Sequence, residues 1–138
     1  MIKQLPNKWK YGRVFNVNVK SSSSSFNLVQ YYTMGLAILD DCEVFYNQLF
    51  SVFKVLKKYF KKRALIKFNV SLQIPFTKKS VSARMGKGKG QRKGFKAVLK
   101  KGTIIFELGN ITYIEGINVL LQCSKRLPVK TRICFFKL

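Results

Sequence analysis

Histidine is absent from this 138-residue chain, and only 5 of its residues are acidic. General acid–base catalysis usually needs a positioned histidine or a pair of carboxylates, and a serine or cysteine nucleophile needs such a base beside it. The acids are assigned to predicted helix starts and to the polar side of a predicted strand; they are Asp40, Asp41, Glu43, Glu107 and Glu115. The composition therefore argues against an enzyme, and neither a catalytic residue nor a cofactor is predicted.

Cysteine is also scarce. Cys42, Cys123 and Cys134 lie far apart without Cys-x-x-Cys spacing, and without histidine they offer too few ligands for a zinc site. We therefore predict no metal site and expect reduced thiols in the core, which fits a reducing compartment. No apolar run approaches the roughly 20 residues of a membrane-spanning helix, so no membrane span is expected. The N-terminus resembles neither a secretory signal nor an Arg- and Ser-rich transit peptide.

The scarcity of acids leaves a formal net charge of +22, from 27 basic and 5 acidic residues. Such an imbalance costs self-repulsion in the compact state and favours binding to polyanions. Because 47% of the residues are hydrophobic, the chain is expected to fold and not to behave as a disordered basic tail. Nucleic acid is the first candidate partner. An anionic membrane surface is the second, although a basic amphipathic helix of the membrane-binding kind is not evident.

The charge is densest between Lys78 and Lys101, where ten of 24 residues are basic and none is acidic. Within this run, residues 84–90 read Arg-Met-Gly-Lys-Gly-Lys-Gly. Glycine allows close backbone approach, and lysine and arginine neutralise phosphate. The glycines are two residues apart and a strand is predicted to follow, so neither the P-loop nor the dinucleotide-binding spacing is met. The run predicts phosphate contacts to structured RNA, dominated by charge and shape.

Two helices are predicted from hydrophobic periodicity. The segment 41–62 has an apolar stripe at three- and four-residue spacing, and Asp40 with Glu43 has the spacing of a capping box. Thr112 and Glu115 have the same spacing and are expected to open a second helix that stops before Pro128.

Strands are predicted where apolar and polar residues alternate. One runs over 65–74 and is ended by Pro75, and another covers 129–135. The stretch from Phe95 to Leu108 suggests a hairpin that turns at Lys101-Gly102. Near the start, a strand through Tyr31 and Tyr32 is expected to break at Gly35.

These elements mix without a regular βαβα repeat, so an α+β fold is predicted. We expect one compact domain over residues 26–138, with two helices packed on a mixed or antiparallel sheet and an extended basic glycine-rich loop. Residues 1–25 are expected to form a basic and aromatic arm that ends in the serine linker Ser21–Ser25.

Residues 75–90 resemble the signature of the large-subunit ribosomal protein uL16 family. The resemblance rests on Pro75-x-Thr77-Lys78-Lys79 and the Arg84–Gly90 string, and the surrounding elements from about 34 to 136 follow in the same order. It implies a component of the large ribosomal subunit that binds large-subunit rRNA near the A-site tRNA and peptidyl-transferase region. Neighbouring large-subunit proteins and a role in subunit assembly are implied as well. The rival interpretation is a free-standing structured-RNA-binding protein outside the ribosome.

The resemblance also implies the contact residues. The loop would reach into RNA near tRNA while its flanks hold phosphates, through Lys78, Lys79, Arg84, Met85, Gly86, Lys87, Gly88, Lys89, Gly90, Arg92 and Lys93. The family's basic N-terminal patch is echoed only by Lys8, Lys10 and Arg13, as further rRNA contacts. This divergence, with amino-acid usage typical of an AT-rich genome, predicts a mitochondrial ribosome. Another organelle or the bacterial cytoplasm is the alternative.

Overall fold

The computed structural model of the chain describes residues 14–15, 28–86 and 88–136. Apart from Val14 and Phe15, the predicted N-terminal arm and its serine linker lie outside the described residues up to Asn27. Within these residues nine elements follow one another: β1 (Met34–Ile38), β2 (Cys42–Phe45), α1 (Tyr46–Phe60), β3 (Leu65–Phe68), β4 (Ile74–Lys78), β5 (Gln91–Leu99), β6 (Ile104–Gly109), α2 (Tyr113–Ser124) and β7 (Thr131–Phe135). The α+β class is confirmed.

The strands form two antiparallel sheets where one was predicted. The first has the order β3-β6-β1-β7 and the second the order β2-β5-β4. A continuous apolar core joins both sheets and both helices, with Leu36 of β1, Leu56 of α1, Phe95 of β5 and Leu120 of α2 all buried in it. The described residues from 28 onward therefore share one core and form one compact unit.

The predicted hairpin at Lys101-Gly102 is wrong, because β5 and β6 belong to different sheets. The N–H of Gly102 donates to the Ile38 carbonyl at 2.9 Å, and the Ile38 N–H donates to the Thr103 carbonyl at 3.1 Å. Gly102 has a φ of 85°, which glycine adopts without the steric cost that a side chain would bring. The turn therefore connects β5 of the second sheet to β6 of the first, and its hydrogen bonds to Ile38 attach it to the end of β1.

The predicted strand 65–74 is also wrong in extent, since the chain leaves the first sheet after Phe68 and enters the second at Ile74. Pro75 lies inside β4, opposite Phe95, and does not end the strand. Proline is tolerated there because β4 is an edge strand. The alternation of apolar and polar residues therefore spans two strands: β3 pairs with β6, and β4 pairs with β5.

Helix α1 begins at Tyr46, later than predicted, because residues 42–45 pair with β5 as strand β2. The Asp40–Glu43 capping box is therefore wrong. The Phe45 N–H instead donates to the Gln48 side-chain carbonyl at 2.8 Å. Asp41 accepts the backbone N–H of Lys101 at 2.7 Å, so this acid connects two loops.

Helix α2 and strand β7 lie where they were predicted, and Thr112 is the N-cap of α2, but the prediction of capping-box hydrogen bonds between Thr112 and Glu115 is wrong. The Thr112 side chain makes no capping hydrogen bond, and Glu115 pairs with Arg63 at 3.2 Å. The predicted strand through Tyr31 and Tyr32 with a break at Gly35 is wrong too, because β1 begins at Met34 and includes Gly35. A Cβ at Gly35 would lie 3.0 Å from Ile104 Cγ2 and 3.2 Å from the Phe106 carbonyl oxygen, so glycine lets β1 lie close to β6.

Glu107 is buried, with 1% of its surface exposed, although its strand position predicted a polar surface. Its carboxylate accepts the backbone N–H groups of Tyr31 at 2.8 Å and Tyr32 at 3.1 Å, and the Asn69 side-chain amide at 2.8 Å. Burial by itself would raise its pKa, but these hydrogen bonds outweigh burial and lower the pKa. The carboxylate therefore fastens the segment before β1 and the segment after β3 to β6.

The three cysteines are free thiols, with Cys123 buried and the other two partly buried. Burial raises the pKa of Cys42 to about 11 and that of Cys123 to about 12, so both remain protonated at neutral pH. Among the described residues, neither helix has the length and apolar character needed to cross a membrane.

Candidate nucleic-acid interface

The basic glycine-rich segment is the connection of a β-hairpin. Strands β4 and β5 pair antiparallel, with Lys78 opposite Gln91 and Thr77 opposite Arg92, so residues 79–90 form the loop between them. The register shifts between Phe76 and Thr77. A bulge of this kind bends a strand and re-aims the residues beyond it. The two strands therefore bring Lys78 and Arg92, which are 14 positions apart, to the base of one loop.

The loop encloses an open cleft of about 720 Å³. Its charged lining residues all carry positive charge, and the side chains of Lys78, Arg84, Arg92 and Lys93 are exposed. A concave surface with one sign of charge concentrates counter-ions and raises the rate of encounter with them. Apart from Met85, the described residues of the predicted RNA-binding set thus all line one cleft.

The glycines of the loop serve two different purposes. Gly86 and Gly88 have φ values of 87° and 86° with open space around them, so the backbone conformation requires glycine there. At Gly90 the constraint is space, because a Cβ would lie 2.6 to 2.7 Å from backbone atoms of Lys78 and Lys79. Gly86 and Gly88 therefore provide left-handed backbone conformations, and Gly90 lets the two sides of the loop lie close together at its base.

Two of the predicted phosphate ligands are engaged within the protein. The Lys79 ammonium donates to the Gly86 carbonyl across the loop. The Lys89 ammonium donates to the Val14 carbonyl at 2.8 Å and lies 5.7 Å from the centroid of the Phe15 ring. These contacts hold the loop's shape and connect it to the segment before the domain. Sequence reasoning missed them because their acceptors are backbone carbonyls, which no side-chain pattern reveals.

The tip of the loop is the most exposed part of the interface. Met85 is 98% exposed and Val81 fully exposed, and Arg84 is exposed beside Met85. At the base, the Arg92 guanidinium lies 5.6 Å from the Phe95 ring centroid, which positions it by a cation–π contact. Met85 and Arg84 are therefore open to solvent, while the base of the loop is anchored in the sheet.

Some predicted contacts lie outside the described residues: Lys87 in the loop, and Lys8, Lys10 and Arg13 in the arm. Their roles remain predictions. In the described part of the chain, no three side chains of the His, Cys, Asp or Glu types gather as metal ligands would.

A model of the family described as ribosomal protein L16p/L10e matches residues 6–134. The chain belongs to this family. Its relatives in the L16p/L10e family include the large ribosomal subunit protein uL16 of Thermus thermophilus, which is 28% identical over 129 residues, 94% of this chain and 92% of the relative. The uL16 protein of Orientia tsutsugamushi strain Boryong is 30% identical over 128 residues, 93% and 94% of the two chains. These matches confirm the family predicted from the sequence of residues 75–90.

Proposed function

We propose that this L16p/L10e family member is a structural constituent of the large ribosomal subunit and binds large-subunit rRNA through the loop between β4 and β5. The observation that carries the proposal is the 720 Å³ cleft, whose charged lining is wholly basic and whose glycine and lysine residues are the family-like signature. The names of the relatives, which are large ribosomal subunit proteins, support it. The family is a structural class, so no catalytic step is proposed for the chain.

The loop would act as a preformed cationic finger. Lys78, Arg84 and Arg92 have exposed side chains that are suited to RNA phosphates. Lys79 and Lys89 would act by holding the loop in shape, because their ammonium groups bond to protein carbonyls. Preorganisation of this kind reduces the entropy lost on binding. The left-handed glycines would let the bare backbone approach the RNA closely.

We place the finger beside the A-site tRNA and the peptidyl-transferase region, as the resemblance implies. The exposed tip, with Arg84 and Met85, supports a contact that reaches beyond the RNA holding the domain. The tip would position RNA and tRNA, and peptidyl transfer would remain the chemistry of the RNA. Neighbouring large-subunit proteins and a role in subunit assembly belong to the same proposal.

We assign the protein to a mitochondrial ribosome because its amino-acid usage is typical of an AT-rich genome and its N-terminal arm diverges from the basic patch of the family. A bacterial or other organellar ribosome is the alternative, and the identified relatives are bacterial. Fractionation of organelles from the source organism, followed by mass spectrometry of sedimented subunits, separates these locations. Recovery in mitochondrial large subunits supports the assignment, and recovery only from another ribosome contradicts it.

The ribosomal role is tested by sedimentation. The full chain should co-sediment with large subunits and remain bound in moderate salt, whereas a variant with Arg84→Ala, Lys87→Ala and Lys89→Ala should dissociate at lower salt or fail to enter mature subunits. A matched variant with Lys125→Ala, Arg126→Ala and Lys130→Ala loses the same charge away from the loop and should behave as wild type. Recovery only as a free, salt-labile RNA binder would favour the free-standing RNA-binding role instead.

A further inference from the structure

Helix α1 presents a second basic surface that the loop does not include. Beside its buried stripe, the helix carries three half-buried aromatic rings in series, with centroids 5.5 Å apart for Tyr46 and Phe50 and 6.5 Å apart for Phe50 and Phe53. Tyr46 packs against the core, and the Phe53 ring also lies 6.1 Å from that of Phe68 in β3. Lysines follow on the same side of the helix, since residues three and four apart are neighbours on its surface. We name this surface the lysine–aromatic face; it consists of Tyr46, Phe50, Phe53, Lys54, Lys57, Lys58 and Lys61.

Two of these lysines are positioned by the rings. The Lys54 ammonium lies 4.8 Å from the Phe50 ring centroid, and the Lys57 ammonium lies 5.8 Å from the Phe53 centroid. The ring quadrupole attracts an ammonium placed over the ring at these distances. Because the contacts restrict long side chains that would otherwise move freely, fewer rotamers are lost when the ammonium groups meet a ligand. The cations are thus arranged before binding.

The charge of the face is not balanced within the protein. No acidic residue occurs from 44 to 106, and in the described part of the chain the ion pairs are Arg63–Glu115 and Lys96–Glu43, neither of which involves an α1 lysine. Like charges four residues apart on a helix, such as those of Lys54 and Lys58, repel each other and destabilise the helix. The helix dipole offsets part of this repulsion in the last turn, but Lys54 lies a turn earlier. A polyanion would remove the remaining repulsion.

We propose that the lysine–aromatic face is a second RNA-binding surface, at which the lysines contact phosphates and the partly exposed rings of Tyr46 and Phe50 contact the base of an unpaired nucleotide. An acidic protein segment would complement the positive charge of this face but would not explain its aromatic rings. Aromatic rings beside cations are the combination that binds unpaired nucleotides, which stack on rings while their phosphates are neutralised. The proposal rests on the proposed function, since it adds a second contact to the same RNA.

The face is separate from the loop. The Phe45 ring, at the start of α1, lies 4.8 Å from the Phe76 ring of β4, so the helix starts beside the hairpin. At about 1.5 Å per residue, Lys54 lies ~14 Å and Lys58 ~20 Å farther along the helix axis. The two surfaces would therefore contact RNA segments at different distances from the hairpin, and one set of substitutions leaves the other surface intact.

The first test measures affinity for protein-free large-subunit rRNA of Thermus thermophilus as a function of salt. A variant with Lys54, Lys57, Lys58 and Lys61 changed to Gln should bind at least tenfold more weakly, with a log–log salt slope shallower by about 3, because each lost phosphate contact removes ~0.7–0.9. The control variant changes four exposed cations elsewhere: Lys125, Arg126, Lys130 and Arg132. Equal losses in both variants would overturn the proposal, because the effect would then be one of net charge.

The second test reports contact at the face. Trp9 is the single tryptophan of the chain, so in a Trp9→Phe background a Phe50→Trp variant gives local fluorescence. RNA should quench it, whereas a Tyr59→Trp variant, on another side of α1, should change little. Absence of quenching at position 50 while RNA binds would overturn the proposal.

The two proposals fail separately. If only the loop variant loses RNA affinity, the second surface is disproved and the loop function stands. If the wild-type chain does not bind the RNA at all, the proposed function fails first. If the four-lysine variant binds RNA normally but does not enter subunits, the face contacts a protein partner and the RNA proposal is wrong.

Discussion

Lys96 and Glu43 form an ion pair between β5 and β2, with the Lys96 ammonium 2.5 Å from a Glu43 carboxylate oxygen. The Lys96 side chain is 8% exposed and that of Glu43 is 34% exposed. Lys96 lies at a position where the alternating pattern predicts solvent, and Glu43 lies where a helix cap was predicted. The pair links β5 to β2 within the second sheet. Because Lys96 is buried and Glu43 is partly exposed, the Lys96 ammonium depends more on its partner than the Glu43 carboxylate does.

This asymmetry gives the first prediction. Glu43→Gln leaves the Lys96 ammonium buried without a counter-charge, whereas Lys96→Met leaves a carboxylate that water can still reach. We expect Glu43→Gln to lower the free energy of unfolding by about 2–4 kcal/mol and Lys96→Met by less, because an unpaired buried charge is the costlier defect. Urea denaturation measures both, with the double variant as the control. Similar losses in the two single variants would contradict the prediction.

The second prediction concerns Glu107 and pH. The folded-state pKa of its carboxyl is lower than the ordinary value of 4.5, so the unfolded chain binds more protons in that region and stability rises with pH. The stabilisation should be complete above about pH 5 and should be lost as the pH falls through the folded-state pKa. Glu107→Gln should reduce the unfolding free energy at neutral pH by about 1.5–3 kcal/mol.

The pH profile separates this role from a packing defect. In urea titrations between about pH 3 and 6, wild type should lose stability more steeply than Glu107→Gln as acid is added. Identical slopes would show that the carboxylate is not the titrating group. The variant keeps the side-chain volume, so the comparison tests the charge and the hydrogen bonds of the carboxylate without opening a cavity.

The third prediction separates the loop glycines. Gly90→Ala introduces a Cβ within 2.7 Å of the Lys78 backbone, so the base of the hairpin must shift. We expect a loss of unfolding free energy of about 1–3 kcal/mol, the usual cost of overpacking, together with weaker RNA binding. Gly88→Ala has open space and meets only the cost of a left-handed residue, about 1–2 kcal/mol.

The two alanine variants should also differ in where they act. Gly88→Ala should change hydrogen exchange in the loop alone, while Gly90→Ala should change it in the paired residues of β4 and β5 as well. An undisturbed hairpin in Gly90→Ala would contradict the close crossing seen at Lys78.

The fourth prediction distinguishes a positioning lysine from a phosphate ligand. Arg84→Ala should weaken rRNA binding and make the salt slope shallower by ~0.7–0.9, as one lost phosphate contact does. Lys89→Met should weaken binding with a smaller change of slope, because the Lys89 ammonium bonds to the Val14 carbonyl. Limited proteolysis near Val14 should accelerate in Lys89→Met and not in Arg84→Ala. The reverse pattern would make Lys89 the phosphate ligand.

Residue patterns confined to one element were predicted well. Helix α2 and strand β7 lie where local periodicity indicated, because each pattern covers one element with one buried side. The errors fall where a single apolar pattern crosses an element boundary. Residues 42–45 could continue a helix as easily as form a strand, and their pairing with β5, some fifty residues away, decided the outcome.

The interface shows the same division. The sequence alone predicts that residues 84–90 combine positive charge with a glycine-rich backbone, because charge and glycine content are local properties. Which glycine meets a neighbouring strand was not evident, because Gly90 is constrained by the Lys78 backbone across the hairpin. The inward contacts of Lys79 and Lys89 likewise depend on carbonyls that only the folded chain brings near.

The sequence by itself determined the positive charge, the absence of histidine, the α+β class and the basic glycine-rich composition of the loop, because these follow from composition and from patterns a few residues long. Only the tertiary structure decided that the strands divide into two sheets, that Glu107 and Lys96 are buried, and that two loop lysines hold the loop itself. The physical reason is that strand partners, burial and backbone acceptors are chosen by contacts between distant residues, which compete with local preference and prevail once the core is packed.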